Sequence, residues 1–379
     1  MTEMVNLLVD LDERFGSDAL ASAMRGIERA GYSAQDASAI GEAAALPSQL
    51  DDVFGGTWGC EAAAGGNIVA RKGDAFAGFA TYDPQGLRFR WLRGLGAEPG
   101  VGIFGPFGVA PEHRKSGIGP HLLVASLAAL CARGYSRALV PAVGEEKLVE
   151  YYSRYSGAVV AERFEKASFR AHRFRTVVLA SGNGTHFQAV LEASQAGTLP
   201  LDLVAMICNR GDAPVVERAR AGGVRAEVVA WDRASESRAE YDERVLGAVS
   251  DEAPELVLLL GWMYLFDAAF VGAFGDRAIN VHPAYLPLDQ SEATVVVPDA
   301  GEVPAFRGAR SIQDALRFGA RWIGATSHEL SLEADRGRVL VRKPLRLPEG
   351  AGLDEAIALL RPVEQRVVAG GIMRWVFER

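Results

Sequence analysis

Five short runs almost free of polar side chains set the strongest constraint on this chain: Thr176–Ala180, Leu203–Cys208, Ala226–Ala230, Leu256–Leu260 and Ala278–Val281. A strand with one face in water alternates polar and apolar residues. These runs do not alternate, so both faces of the sheet they form must be covered. The stretches between them, Phe187–Ala196, Ala213–Ala221, Arg238–Val249 and Asp267–Phe274, read as helices and supply the cover. Strand and helix in alternation predict a doubly wound, mostly parallel α/β sheet over residues 174–379. Such sheets bind ligands beyond the carboxyl ends of their strands.

At about 150 residues per domain, a chain of 379 residues has room for at least one more domain ahead of this one. The basic cluster Arg170, His172, Arg173 and Arg175 precedes the first of the five runs, which puts the boundary near Arg173. The expected domains are 1–173 and 174–379. No Pro- or Gly-rich spacer separates them, so no flexible tether is expected. Lys plus Arg is 40 against 48 for Asp plus Glu, a formal charge of −8. That balance argues against a general nucleic-acid or membrane-surface binder, which needs clustered cations. No stretch approaches the roughly 20 apolar residues of a membrane span. The opening MTEMVNLLVDLDERFG is acidic where a secretory signal is basic. Cys60, Cys131 and Cys208 lie far apart, which is neither a disulfide framework nor a zinc spacing. A cytoplasmic protein is the expectation, with 49% apolar residues to build its cores.

The first half reads as mixed α/β. Residues 13–46 predict one or two helices broken near Gly31. Strand-like pieces follow at Asn67–Arg71, Ala75–Tyr82, Leu87–Leu92 and Val101–Val109. A helix of period 3.6 runs from His121 to Arg133, then a strand at Arg137–Val140 and a helix at Glu145–Tyr155. Between Val109 and the first of those helices lies Arg114-Lys115-Ser116-Gly117-Ile118-Gly119. The physical reading is an anion cradle. Glycines let the backbone approach a ligand, free N–H groups at a helix start face it, and Arg114 adds charge.

Val-x-Pro-x-x-Arg-x-x-Gly-x-Gly before an amphipathic helix resembles the acetyl-CoA signature of GNAT-type N-acetyltransferases. The resemblance spans roughly residues 60–170 and implies a mixed-sheet GNAT-like α/β domain. It assigns Arg114, Ser116, Gly117, Ile118 and Gly119 to the CoA pyrophosphate. The ending Tyr151-Tyr152-Ser153-Arg154-Tyr155-Ser156-Gly157 is similar to the family's Phe-Tyr-x-x-x-Gly-Phe, with the Gly-Phe altered. By that match Tyr152 is the general acid that protonates the leaving CoA thiolate.

In the second half the first strand runs into Ser181-Gly182-Asn183-Gly184-Thr185-His186 and a helix, a second cradle by the same physics. It lacks the Gly-x-Gly-x-x-Gly of a dinucleotide fold and the Lys-Ser/Thr of a nucleotide loop. The strand at Ala278–Val281 delivers Asn280 and His282 to the same edge. Two residues apart in an extended chain, their side chains share one face. An amide donor and an imidazolium there can hold an oxyanion. A carboxylate is needed to keep the imidazole charged and to manage protons, and Asp335 is the candidate.

SGNGTHFQAVLEA, SRAEYDERVL, LLLGWMYLF, INVHPAYLP and GATSHELSLEADRG occur in the order seen in phosphoribosylglycinamide formyltransferases, over nearly all of 175–379. The resemblance implies a Rossmann-like formyltransferase domain using 10-formyltetrahydrofolate, with no metal and no covalent enzyme intermediate. It makes Asn280, His282 and Asp335 the catalytic trio. Gly182, Asn183, Gly184, Thr185 and His186 fall in the substrate-phosphate loop, and Glu364 and Arg361 fall at substrate-contacting positions of the last helix. Met263, Tyr264 and Leu265 fall in the segment whose backbone holds the pterin. Arg238 and Arg277 stand where relatives also carry Arg, in reach of substrate or folate anions.

The chain also departs from that pattern. His186 replaces an Asn, Arg361 a Gln and Tyr264 an Arg. Arg336-Gly337-Arg338 stands for Gly-Gly-Pro, and LDQSEATVVVPDAGEVPA is longer than its equivalent. A kept trio with altered walls predicts formyl transfer to the amine of a small metabolite, with a homodimer as the candidate assembly. Purine-pathway ribonucleotide formylation is the alternative, and a non-catalytic CoA- or folate-binding protein is the reading from a different class.

Overall fold

The computed structural model describes residues 2–37, 46–54, 58–85, 87, 89–92, 94–166, 172–297 and 301–379. It divides into two compact units, Met1–Ser168 with Phe377–Arg379, and Phe169–Val376.

The first unit runs β1 (Thr2–Asp10), α1 (Ser17–Arg29), β2 (Ser33–Asp36), α2 (Leu46–Val53), α3 (Trp58–Ala62), β3 (Gly66–Lys72), β4 (Ala75–Tyr82), β5 (Val101–Val109), α4 (Ile118–Ala132), β6 (Arg137–Val143), α5 (Glu146–Ser156) and β7 (Val159–Lys166). Its seven strands form one mixed sheet in the order β2-β3-β4-β5-β6-β1-β7. Helix α4 anchors the core: Ile118, Leu122, Leu123, Leu127 and Leu130 are all fully buried. Each such side chain contributes about 1.5–3 kcal/mol by leaving water. All pairs are antiparallel except β5 with β6, and that pair is short. It joins Val101–Ile103 to Arg137–Leu139 only. Beyond it β5 stays with β4 as far as Val109, and β6 stays with β1 as far as Val143. The two strands therefore part and leave a wedge in the sheet.

Two expectations fail here. The described residues of Leu87–Leu92 form no strand; Arg90–Leu92 is a turn of 3-10 helix. Phe89 and Leu92, three apart, are the buried pair, a spacing that suits the turn and not a pleat. The helical reading of 13–46 ends with α1. After Gly31 the chain enters β2, which pairs antiparallel with β3, and residues 38–45 lie outside the described set. β1 carries no sequence expectation, although Val5, Leu7 and Val9 are buried in alternation. Asn6 is buried too, its amide satisfied by Trp91 O, Glu162 and the N–H of Ala142.

The second unit runs β8 (Phe174–Ala180), α6 (Thr185–Gln195), β9 (Leu201–Cys208), α7 (Pro214–Ala221), β10 (Arg225–Val228), α8 (Arg238–Ser250), β11 (Leu256–Leu259), α9 (Ala268–Phe274), β12 (Ala278–His282), β13 (Thr294–Val297), β14 (Gly301–Pro304), α10 (Ser311–Phe318), β15 (Trp322–Glu329), β16 (Val339–Arg346) and α11 (Leu353–Phe377). The sheet order is β10-β9-β8-β11-β12-β15-β16. The first five strands are parallel, and β15 and β16 are antiparallel additions. The fold is α/β with a mostly parallel sheet, as the five apolar runs predict. One core lies on each face: Phe187, Val215 and Ile372 on one, Tyr241, Val245 and Phe270 on the other. The long segment after Pro287 folds partly into the hairpin β13–β14. Its Val295, Val297 and Val303 bury against Tyr285, Phe306 and Trp322.

Candidate active site

From β8 the chain winds outward to β9 and β10, then returns to β11 and β12 on the other side. The order reverses between β8 and β11, and the crevice beyond their carboxyl ends is where a parallel sheet opens to a ligand. The loops leaving these strands bond to each other there. Ser181 N–H donates to Gly261 O at 3.2 Å, and Met263 N–H to Ser181 Oγ at 3.3 Å.

The loop after β8 turns at Gly184, whose φ is +69° and which caps α6 without any side-chain hydrogen bond. The first N–H groups of α6 therefore stay open to a ligand. A methyl group on Gly184 would sit 2.5 Å from Val215 Cγ2, so glycine is required for space as well as for φ. Gly182 and Asn183 hold the loop to α7: Val215 N–H donates to Gly182 O and Arg218 Nε to Asn183 O. Thr185 opens the helix. His186 Nε2 lies 3.3 Å from Glu364 Oε2, both largely buried. Arg361, one turn earlier on α11, is exposed.

At the end of β12 the structure brings Asn280, His282 and Asp335 together, and adds His328. In the antiparallel register of β12 with β15, His328 faces Asn280. Its Nδ1 lies 2.8 Å from Glu329 O, and its Nε2 lies 3.2 Å from Asn280 Nδ2 and 3.5 Å from Asp335 Oδ1. His328 donates Nδ1–H to Glu329 O, so its Nε2 is turned toward both the Asn280 amide and the Asp335 carboxylate and holds the two beside each other. His282 is 5% exposed. Its Nε2 lies 2.8 Å from Phe306 O and its Nδ1 3.4 Å from Asp335 Oδ1. Burial pushes its pKa below the ordinary value, against the opposing pull of Asp335. The imidazolium expected from sequence is therefore disfavoured at rest; the ring is neutral, with its proton on Nε2 and Nδ1 facing the carboxylate.

Asp335 occupies the left-handed region at φ +57°, a strained place for a residue other than glycine. Gly308 N–H donates to its Oδ2 at 2.8 Å and helps hold it there. Burial alone would raise this carboxyl. Hydrogen bonding from His328, the field of His282 and the Gly308 N–H outweigh burial and bring it down to about 2. The site thus pairs an ionised carboxylate with a neutral imidazole.

The first unit has its own cradle. Helix α4 begins at Gly117, φ +89°, also without a side-chain cap. Arg114 reaches back toward Val109 O and is exposed, as is Lys115. Ile118 and Gly119 form the first turn. Ser116 Oγ and the Tyr151 hydroxyl are buried there with no hydrogen-bond partner among the described residues. A methyl group on Gly119 would lie 2.9 Å from the Tyr151 oxygen. Tyr152, the residue singled out from sequence, is buried against Phe104, Phe107 and Tyr151. It is Tyr151, its neighbour, that brings a phenol to the start of α4. Burial raises the pKa of both, so both stay protonated at neutral pH.

Residues 36–158 match the acetyltransferase (GNAT) family and residues 174–290 match formyl transferase. The chain joins a GNAT-family domain to a formyl transferase domain. It is 28% identical to phosphoribosylglycinamide formyltransferase of Escherichia coli K12 over 191 residues, 50% of this chain and 82% of that one. To the enzyme of that name from Bacillus subtilis it is 26% identical over 191 residues, 50% and 85% of the two chains. Among solved structures, glycinamide ribonucleotide transformylase 1 from Symbiobacterium toebii shows 29% identity with a TM-score of 0.47, covering 55% of this chain and 90% of that one.

Within the formyl transferase domain, Met263 and Leu265 are 61% and 66% exposed, and the buried Trp262 Nε1 has no partner among the described residues. Apolar side chains left in water beside an orphaned donor suit a flat heteroaromatic ring with a polar edge. Tyr264 stacks edge-on against Trp262, Trp231 and Tyr241. Arg238 braces this loop from below, donating to Leu265 O while paired with Asp242 at 2.8 Å. Arg277 bonds the carbonyls of Ala273 and Pro254, which is a structural task. Among the described residues no helix is long and apolar enough to cross a membrane.

Proposed function

We propose that residues 174–379 move a formyl group from 10-formyltetrahydrofolate to an amine of a small metabolite. The observation that carries this reading is the buried His282–Asp335 pair, 3.4 Å apart, beside the amide of Asn280 at the carboxyl end of β12, the strand next to the switch point. The folate supplies an activated formyl carbon; Met263, Tyr264, Leu265 and the orphaned Trp262 N–H would hold its ring. An amine that adds to a carbonyl must lose a proton while negative charge grows on oxygen. The neutral His282 with ionised Asp335 can take one proton between them. Taking it makes an imidazolium at the moment the oxygen turns negative, when a positive charge stabilises most. Asn280 offers an amide N–H to the same oxygen. When that oxygen's charge returns to the carbonyl, the bond from the formyl carbon to the folate nitrogen would break, and the proton held between His282 and Asp335 would pass to that nitrogen, so the folate leaves neutral.

The acceptor lies along the Gly182–His186 loop and Glu364 in this reading. What differs from the relatives there is His186 in place of Asn, 3.3 Å from Glu364, and Arg361 in place of Gln. That changed wall favours an acceptor other than glycinamide ribonucleotide, the acceptor that the relatives' names point to.

For residues 1–173 we infer acetyl-CoA binding at the Arg114–Gly119 turn, with Tyr151 as the acid at the wedge; its hydroxyl and Ser116 Oγ are unpartnered there. Mass spectrometry of the full chain with 10-formyltetrahydrofolate, acetyl-CoA and a panel of amines tests both. A +28 product from a metabolite amine supports the reading. A +28 product from glycinamide ribonucleotide alone replaces it with the purine reaction. No product from any amine, with both cofactors bound, replaces it with a binding protein.

A further inference from the structure

The segment Phe306–Arg307–Gly308 touches both halves of the proton-handling pair. Phe306 supplies the carbonyl to His282 and Gly308 the N–H to Asp335. Arg307 lies between them. Its Nε donates to Asp335 O at 3.3 Å and a terminal nitrogen to Gln290 O at 3.4 Å. Arg336, the residue after Asp335, donates to that same Gln290 carbonyl. Two guanidinium groups thus converge on one neutral acceptor. Among the described residues no carboxylate comes within ion-pair distance of Arg307. The carboxylate paired with Arg336 among the described residues is Glu333, 3.1 Å away on a side chain 77% exposed. An exposed pair of that kind contributes little. Burial and then the charge of Arg336 push the pKa of Arg307 down, against the weaker opposing pull of the Asp335 carboxylate.

Two like charges held together at the lip of a reactive centre are relieved by an anion that bridges them. Planar guanidinium groups match a planar carboxylate through two parallel hydrogen bonds. Resting on the formyl-transfer reading above, we propose that Arg307 and Arg336 clamp a carboxylate of the acceptor, which is therefore an amino acid or a near relative. The clamp holds the acid while the amine is presented to Asn280, His282 and Asp335. The cofactor's glutamate tail is the other source of a carboxylate, and the test separates the two.

The full chain is assayed with 10-formyltetrahydrofolate and matched pairs of amino acids and their decarboxylated amines, such as glycine with methylamine, β-alanine with ethylamine and L-lysine with cadaverine. Wild type is compared with R307Q, R336Q and the charge-keeping R307K. Hydrogen bonds to a charged group set the expected scale. The acid should be preferred by about 10- to 150-fold in kcat/KM, mostly through KM. R307Q and R336Q should erase that preference, and R307K should restore part of it. The affinity for 10-formyltetrahydrofolate should not change. If the preferred acceptor lacks a carboxylate, the proposal falls. It also falls if the variants weaken the cofactor that carries a glutamate tail but not the pteroate form without it. Calorimetry with the same amino acids alone covers the case in which no formyl group moves. Saturable binding lost in R307Q keeps the clamp while the formyl-transfer reading fails, and no binding overturns the clamp. Urea midpoints of each variant exclude misfolding as the cause.

Discussion

The starts of α4 and α6 are the same backbone device used twice. Each follows a strand, turns on a left-handed glycine and carries no side-chain cap, with φ +89° at Gly117 and +69° at Gly184. Their surroundings differ. Gly117 stands in open space, with an unpartnered serine hydroxyl and phenol near the helix start. Gly184 is pressed against Val215, and a His186–Glu364 pair sits beside its helix. Open N–H groups make a place for a ligand, but the neighbouring side chains choose the chemistry. Glycine-rich turns alone are therefore a poor guide to substrate.

The largest expected effect separates the two domains outright. His282→Ala should cost formyl transfer about 10²–10³-fold, roughly 2.7–4 kcal/mol, by removing a group that stabilises the developing oxyanion. Acetyl-CoA binding, followed by calorimetry, should stay as it was. Asp335→Asn should cost about 10²–10⁴-fold, the usual share of a positioned proton acceptor. A loss in both activities from either variant would end the idea of two separate chemistries.

Next comes the phenol. Tyr151→Phe should lower acetyl transfer by about 10²-fold with little change in CoA affinity, because a general acid acts on the leaving group. Tyr152→Phe should lower it far less, its ring being core. The reverse order, read from steady-state rates, would return the role to Tyr152.

The two glycines test the packing difference. Gly184→Ala should destabilise its unit by about 2–5 kcal/mol, from backbone strain plus overpacking against Val215. Gly117→Ala meets no atom within 4 Å and should cost only about 1–2 kcal/mol of strain. Urea unfolding of the two variants reads both, and equal losses would remove the distinction.

The smallest effect is in pH. The folded-state pKa of His282 is depressed, so the folded state holds fewer protons there than the unfolded chain. Its contribution is present above the unfolded value of about 6.5 and is lost as pH falls through it. Asp335 adds a second loss between about 3.9 and its folded value of about 2. Urea midpoints from pH 8 to 5 should slope downward in wild type and flatten in His282→Asn.

The parallel half of the second unit was open to sequence because doubly covered strands do not alternate. β15 was not. Its sequence WIGATSHE looks like a polar loop, yet its interior is buried. Side-chain hydrogen bonds make that tolerable: Thr326 Oγ donates to Ala284 O and Ser327 Oγ to Val341 O. His328 reads from sequence as an ordered strand histidine, and the structure puts it in a strand, but nothing in the sequence places it in the site. Only the register of β12 against β15 sets it opposite Asn280, 48 residues away in sequence. Alternation put Asn280 and His282 on one face, and the family motifs around them gave that face its chemistry. Asp335 needed the family resemblance, because a turn at positive φ carries no periodic signal. The choice between Tyr151 and Tyr152 depends on how α5 is rotated, and adjacent aromatics do not reveal that.

The grip of Phe306 and Gly308 on His282 and Asp335 runs entirely through main-chain atoms of the two gripping residues. Reactivity here is thus a property of where a peptide segment lies rather than of which side chains it bears. Grafting a hairpin of another length between Pro287 and Phe306 would move the carbonyl and the N–H together. Such a swap could retune the enzyme while leaving every reacting side chain in place, a route by which new acceptors can be explored without rebuilding the chemistry.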